Sequence, residues 1–337
     1  MAETAVGVVA NPASGRDIRR LVAGASVFDN AEKGNMVFRL MVGLGAAGVG
    51  RVLMMPAASG LYDALERNLR SHGRGAGLPE LELLEMPLRH DARDTVEAVE
   101  RMCGRGVAAI VVLGGDGTSR LVARHCGDIP LCPLSTGTNN AFPEMREATV
   151  AGIATGLVAT GRLRTLRREK VLRVRVNGEG GRGDCALVDV AASGERFVGA
   201  RALWRPESVH EIVVASASPD AVGLSAVAGL LDPLPREAPY GLHLRLAPPE
   251  KARRVLSVPI APGLVVPVGI AGARRVPLGE EVELEPRAGV VALDGEREIE
   301  RGPEDRVSVV PDGGGPLVVD VAAAMRQAAR EGLLEGG

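Results

Sequence analysis

The chain begins as an alternation of short apolar runs and stretches of helical spacing. Ala5–Ala10 is an uninterrupted apolar strand that ends in Asn11-Pro12-Ala13-Ser14-Gly15. Ile18 to about Val27 and Met36 to Ala47 carry apolar residues at helical intervals. Arg51–Met55 reads as a strand, Ser59 to about Ser71 as a helix with Ser59 at its N-cap, and Leu81–Met86 as a strand. Asp91 or Asp94 is placed to cap a helix over Thr95–Cys103. The strand Val107–Leu113 runs into two glycines, Asp116, Gly117 and Thr118, and a helix then extends from about Ser119 to His125. Ile129–Leu134 enters Ser135-Thr136-Gly137-Thr138-Asn139-Asn140. Such alternation predicts an α/β domain with a doubly wound parallel sheet, its loops gathered at the carboxyl ends of the strands.

The pattern changes after about Arg168. Val171–Val176 and Cys185–Ala191 are strand-like, with the Gly-rich turn Asn177–Gly183 between them. From Val209 to Val310 many short β-like runs are punctuated by Pro and Gly, the signature of a β-rich, sandwich-like domain. Helices are expected at Glu195–Trp204 and Ala221–Leu231. Val321, Met325, Ala328 and Ala329 fall on one helical face, and that final helix is expected to pack back on the first domain. The implied division is 1–150, 151–312 and a returning segment 313–337. Val255–Ala273 carries no charge, but Pro259, Pro262, Pro267 and several glycines cut it into strand-length pieces, which argues against a membrane span.

Composition narrows the function. With 337 residues, 46% hydrophobic and 24% charged, the chain is long enough for two domains with a sizeable core. A net charge of −2 and 2% aromatics point away from nucleic acid. The four cysteines form no C-x-x-C pair and have no His at metal-ligand spacing, the usage of a reduced, cytoplasmic chain. The start of the chain lacks the basic segment of a signal peptide. Lys33, Lys170 and Lys251 are the only lysines, and no Walker-type P-loop is present, so a phosphate grip must use backbone amides, Arg or a metal.

Three strand-end loops share one chemistry. Asn11–Gly15, Gly114-Gly115-Asp116-Gly117-Thr118 and Thr136–Asn140 each offer backbone N–H groups, small residues and hydroxyl or amide side chains. Together they can hold the phosphates and ribose of a nucleotide at one sheet edge. A carboxylate beside polyphosphate repels it, so Asp116 needs another task. It either removes a proton from an attacking hydroxyl or holds a metal that screens the phosphates. Taken alone, Gly-Gly-Asp-Gly is also a tight turn with Asp116 as a helix cap. Asp294-Gly295-Glu296 reads as a hairpin turn between Val290–Leu293 and Arg297–Ile299. His72, His90, His125, His210 and His243 are scattered, with no nucleophile beside them. Arg162–Arg168 reads as a solvated face or an interdomain strand.

The three motifs, in this order, resemble the superfamily that unites NAD kinases and diacylglycerol-type lipid kinases. The resemblance covers most of the chain. Asn11–Arg20, Ala25–Phe28, Thr136–Pro143 and Val198–Trp204 are closer still to the AcoX-type branch, whose members are described as ATP-NAD kinase-like and associated with acetoin catabolism. The resemblance implies a phosphotransferase with ATP as donor and Mg²⁺ as neutraliser, its site lying between the domains. Asp116 would be the base. Gly114, Gly115, Gly117 and Thr118 would shape the phosphate cradle, and Asn11, Ser14 and Gly15 would touch the donor phosphates. Thr136, Gly137, Thr138, Asn139 and Asn140 would contact ribose or phosphate. Acidic residues in the region of Asp294 and Glu296 lie near metal in some lipid kinases. Relatives of this fold often self-associate, which implies a homodimer or larger homo-oligomer.

Departures bear on the acceptor. NAD kinases carry an Asn-Glu pair where this chain has Val188-Asp189, and a hydroxyl-rich loop where it has Ala217–Ala226. The acceptor-side candidates are therefore Asp189 and Asp220. The default acceptor is the NAD 2′-hydroxyl, with a lipid or other small alcohol as one alternative and a non-catalytic nucleotide sensor as another.

Overall fold

The computed structural model describes residues 3–14, 28–57, 60–72, 77–137, 140–178, 182–195, 205–285 and 287–335. The first half contains β1 (Ala5–Ala10), α1 (Asn30–Ala46), β2 (Arg51–Met54), α2 (Leu61–His72), β3 (Glu80–Leu83), α3 (Ala92–Gly104), β4 (Ala109–Gly114), α4 (Asp116–His125), β5 (Leu131–Ser135), α5 (Ala148–Ala159) and β6 (Leu166–Arg168). The β-rich half follows with β7 (Val171–Val176), β8 (Gly183–Ala186), β9 (Asp189–Ser193), β10 (Val209–Val214), α6 (Leu224–Leu231), β11 (Tyr240–Ala247), β12 (Arg254–Ala261), β13 (Leu264–Pro277), β14 (Val282–Glu283), β15 (Gly289–Leu293), β16 (Glu296–Arg301) and β17 (Val307–Asp312). The chain closes with β18 (Leu317–Val319) and α7 (Val321–Arg330).

The first sheet has the order β3-β2-β1-β4-β5-β18-β6 and is parallel except where β6 meets β18. Every position of β1 and β4 is buried, because helices cover both faces. Val6, Val8 and Ala10 join one core with α1, α5 and α7, while Ala5 and Val9 join the opposite core with α3 and α4. This is the period-two alternation of a strand with two buried faces. From β1 the order runs outward to β3 on one side and through β4 to β5 on the other. The switch point therefore lies between β1 and β4, where Ala10 is paired with Leu113. A crevice at the carboxyl ends of such strands is the usual ligand position of this architecture.

The β-rich half holds one sheet ordered β12-β13-β11-β10-β9-β15-β16 and a smaller one ordered β14-β17-β7-β8. The two halves share a core, since Val171, Leu187 and Val188 pack with Val112, Val122 and Phe142. The C-terminal segment returns as expected: β18 joins the first sheet, and Val321, Ala324 and Ala328 of α7 enter its core.

Several expectations change in detail. Helix α5 straddles residue 150, so the first half runs on to Arg168. The apolar run Cys185–Ala191 divides into β8 and β9 in different sheets, because the amides of Leu187 and Val188 are taken by the Asp294 carboxylate. The second-domain helix starts at Leu224 rather than Ala221. The uncharged segment 255–273 is the β12–β13 hairpin, turned at Gly263 with φ +78°. Among the described residues no helix is long and apolar enough to cross a membrane. The helix expected at Ile18–Val27, the one expected at Glu195–Trp204 apart from its first residue, and the cap at Ser59 lie outside the described residues.

Candidate active site

The loops after β1, β4 and β5 meet through their own side chains. The Asn11 N–H donates to the Leu113 carbonyl at 3.0 Å, which continues the β1–β4 pairing into the loops. Asn11 Oδ1 accepts the Ala13 N–H at 2.8 Å, and its Nδ2 donates to Thr118 Oγ1 at 2.9 Å. Ser14 Oγ lies 3.0 Å from Thr136 Oγ1, and the Thr136 N–H donates to the Gly114 carbonyl. Asn140 Nδ2 donates to Ser135 Oγ at 2.7 Å. A Cβ on Gly115 or Gly137 would stand 2.9 or 2.6 Å from Asn140 Oδ1, so these glycines let the Asn140 amide pack on the motif. The three loops are thus brought together. Asn11, Ser14 and Thr118 brace them side chain to side chain. Gly15, Thr138 and Asn139 lie outside the described residues.

Asp116 opens α4 directly after the Gly115 N-cap and is 9% exposed. Its Oδ1 accepts the Phe142 N–H at 2.8 Å, and both oxygens accept the Ala141 N–H, at 3.2 and 3.1 Å. The carboxylate is therefore aimed by the third loop. It borders a cavity between the halves, together with Ala141, Val188, Asp189, Gly223, Ser225 and Asp294. The cavity is small, about 20 Å³, room for about one water-sized group.

The second-domain candidates divide. Asp189 reaches the cavity. Asp220 does not: it is exposed and accepts the Ser218 hydroxyl outside the cavity lining. Asp294 sits at a left-handed hairpin position with φ +52°, followed by Gly295 at +74°, so the expected turn is present. Its carboxyl is nevertheless buried, and Oδ1 accepts the N–H of Leu187 at 2.9 Å and of Val188 at 2.8 Å. Burial first, and then the neighbouring Asp116 and Asp189, push the Asp294 carboxyl well above the usual carboxylate range, with Arg120 opposing. Among the described residues no group of three or more His, Cys, Asp or Glu could hold a metal ion. The Asp294 carboxylate is held by the backbone amides of Leu187 and Val188. Glu296 is beside the cradle: its carboxylate oxygens stand 3.3 Å from where a Cβ on Gly117 would be.

Three further residues, which no motif had marked, complete the surroundings. Lys33 is 1% exposed and donates to the carbonyls of Asn11 and Ser14, both at 3.1 Å, from beneath the first loop. Its signal was its place on the α1 stripe with Val37, Leu40 and Leu44. Arg120, four residues after Asp116, crosses to the β-rich half. Its Nη2 is 2.9 Å from Glu298, its Nη1 3.4 Å from Asp184, and its Nε 3.6 Å from Asp294. Arg236 comes back from the β-rich half to the carbonyls of Ala141 and Phe142. Nothing local marks Arg120 or Arg236, because their partners are remote in sequence.

The chain resembles known proteins along nearly its whole length. Residues 6–163 match the ATP-NAD kinase N-terminal domain, and residues 170–313 match the acetoin catabolism protein X C-terminal domain. Acetoin catabolism protein X of Cupriavidus necator is 48% identical over 335 residues, covering 98% of this chain and 93% of the relative. A crystal structure of an NAD kinase from Archaeoglobus fulgidus in complex with ATP aligns over 99% of this chain and 100% of its own, at 14% identity and a TM-score of 0.41. The meeting place of β1, β4 and β5 falls inside the kinase-type match, and the wall that carries Asp189 and Asp294 falls inside the other. The chain belongs to the acetoin catabolism protein X family, kinase-like proteins in which an ATP-NAD kinase domain precedes the family's own C-terminal domain.

Proposed function

We propose that the protein transfers the γ-phosphoryl group of ATP to an alcohol hydroxyl, with the NAD 2′-hydroxyl as the default acceptor. One observation carries this reading. Asp116 stands at the start of α4, beside the three joined loops, and its carboxylate faces a cavity walled by the other half of the molecule. Phosphoryl transfer asks the protein mainly for positioning, charge neutralisation and an oriented nucleophile. The acceptor oxygen forms a bond to the γ-phosphorus, the bond to the β,γ-bridging oxygen breaks, and ADP leaves. The hydroxyl proton passes to the Asp116 carboxylate.

A Mg²⁺ bound together with the nucleotide's phosphates would need only one or two protein oxygens from this chain. Glu296, next to Gly117, is the carboxylate best placed for this. When bound, that ion would supply charge neutralisation that the chain's sparse lysines do not.

A compact alcohol is the second reading for the acceptor. The cavity is narrow, and Val188 and Val222 line it, beside Asp189 and Ser225, where NAD kinases carry an Asn-Glu pair and a hydroxyl-rich loop. Turnover of ATP and Mg²⁺ with NAD and a panel of small alcohols tests both. Asp116→Asn is expected to lower kcat by about 10²–10⁴-fold while nucleotide binding persists. Unchanged turnover in that variant would remove Asp116 as the base. A wild-type protein that binds ATP and transfers nothing to any acceptor would be a sensor.

A further inference from the structure

We propose that Arg236, reaching across from the β-rich half, is a positioning residue that sets the Asp116 carboxylate through the Ala141–Phe142 peptide. The inference rests on the reading of Asp116 as the base. Arg236 Nη2 donates to the Ala141 carbonyl at 2.8 Å and to the Phe142 carbonyl at 2.9 Å, and its guanidinium lies 5.3 Å from the Phe142 ring centre. The Ala141 carbonyl and the Phe142 N–H belong to one peptide group. That N–H makes the 2.8 Å bond to Asp116 Oδ1. A cation on the carbonyl polarises the peptide and strengthens the N–H as a donor, so guanidinium, peptide and carboxylate form one cooperative chain.

The mounting of Arg236 supports this role. It sits in a turn rather than in a helix or strand, yet the turn is fastened on both sides. Lys170 Nζ donates to the Pro235 carbonyl at 3.2 Å and to the Tyr240 carbonyl at 2.8 Å. Arg236 Nη1 also stands 3.6 Å from Glu169 Oε1. Glu169 and Lys170 are the residues between β6 of the first sheet and β7 of the smaller one. The crossing between the halves, the Arg236 turn and the peptide that aims Asp116 are therefore one connected assembly. A shift of one half against the other would move the carboxylate.

The test combines variants with a readout that needs no turnover. In Arg236→Ala the Phe142 amide is expected to exchange with deuterium about tenfold faster or more, the effect of losing one charge-assisted hydrogen bond. The same variant should lose about tenfold in kcat with little change in the KM for ATP, and added guanidinium should restore part of the loss. Arg236→Lys should fall between, since an ammonium cannot bridge both carbonyls in the same geometry. Glu169→Gln weakens the mounting of Arg236 but keeps its contact with the peptide, so it should cost only a fraction of what Arg236→Ala costs in exchange and kcat. In an Asp116→Asn background, Arg236→Ala should change the residual rate by less than about twofold, because the two residues act in series. Unaltered Phe142 exchange in Arg236→Ala overturns the proposal, as does a full loss reproduced by Glu169→Gln. If the wild type transfers no phosphate, the phosphotransfer reading falls, and amide exchange at Phe142 still decides the Arg236 coupling.

Discussion

Lys33 donates to two carbonyls of the first loop and, at 3.5 Å, to Asn30 Oδ1 from a position that is 1% exposed. A buried ammonium is costly unless such acceptors surround it, and here they are the peptide groups of the loop itself. With its carbonyls turned toward Lys33, the loop has its chain direction fixed where the nucleotide is proposed to bind. Lys33→Met should destabilise the protein by about 1–3 kcal/mol in urea denaturation, the cost of taking the ammonium donor from the Ser14 carbonyl and weakening the bonding of the Asn11 carbonyl. It should also weaken ATP binding. A variant with wild-type stability and affinity would mean that the loop holds itself. At this scale the sequence marked Asp116 and Asn140 as candidates but did not show how they are held. The Asp116 amide partners follow the third loop, and no local pattern pairs residue 116 with residues 141 and 142.

Among the elements, α1 and α5 cross with their backbones nearly in contact. A Cβ on Gly152 would stand 2.3 Å from the Leu40 carbonyl oxygen, and one on Gly43 would stand 2.2 Å from that of Thr149. These glycines allow α5 to lie close enough to complete the core under β1, β4 and β5. Gly152→Ala should therefore cost about 1–3 kcal/mol by overpacking. A Cβ on Gly104, at the end of α3, would meet nothing within 4 Å, so Gly104→Ala should be neutral or gain up to about 1 kcal/mol. Paired thermal melts read both, and equal effects at the two sites would contradict the close-crossing argument. The apolar runs of β1, β4 and β5 were legible because burial on both faces leaves no polar position in the strand. The break between β8 and β9 was not, because its cause is a carboxylate more than a hundred residues downstream.

For the molecule as a whole, the two halves are tied by a shared core, by Arg120 and Arg236, and by the crossing at Glu169–Lys170. Burial lowers the Lys170 ammonium from 10.5 to about 8, with Glu169 and Glu237 opposing. Below about pH 8 this lysine is charged both folded and unfolded. Between about 8 and 10.5 the unfolded chain keeps a proton that the folded one releases, so the stability contributed by Lys170 rises with pH across that window. Against Lys170→Met, the wild-type unfolding free energy should gain as pH is raised from about 8 to about 10. A difference that is flat or falls over that range would show that the ammonium is not held as the structure has it.

The sequence by itself determined the α/β character of the first half, the β-rich character of the second, the returning helix and the three loops around Asp116. Each of these follows from local periodicity or turn chemistry, which neighbouring residues impose on one another. Tertiary structure alone decided that Asp189 faces the cavity while Asp220 does not, that Asp294 is held by amides, and that Lys33, Arg120 and Arg236 surround the site. Those outcomes depend on burial and on hydrogen bonds between distant segments. Whether a charged side chain is a solvated surface group or part of a site is set by the partners that the folded chain brings to it.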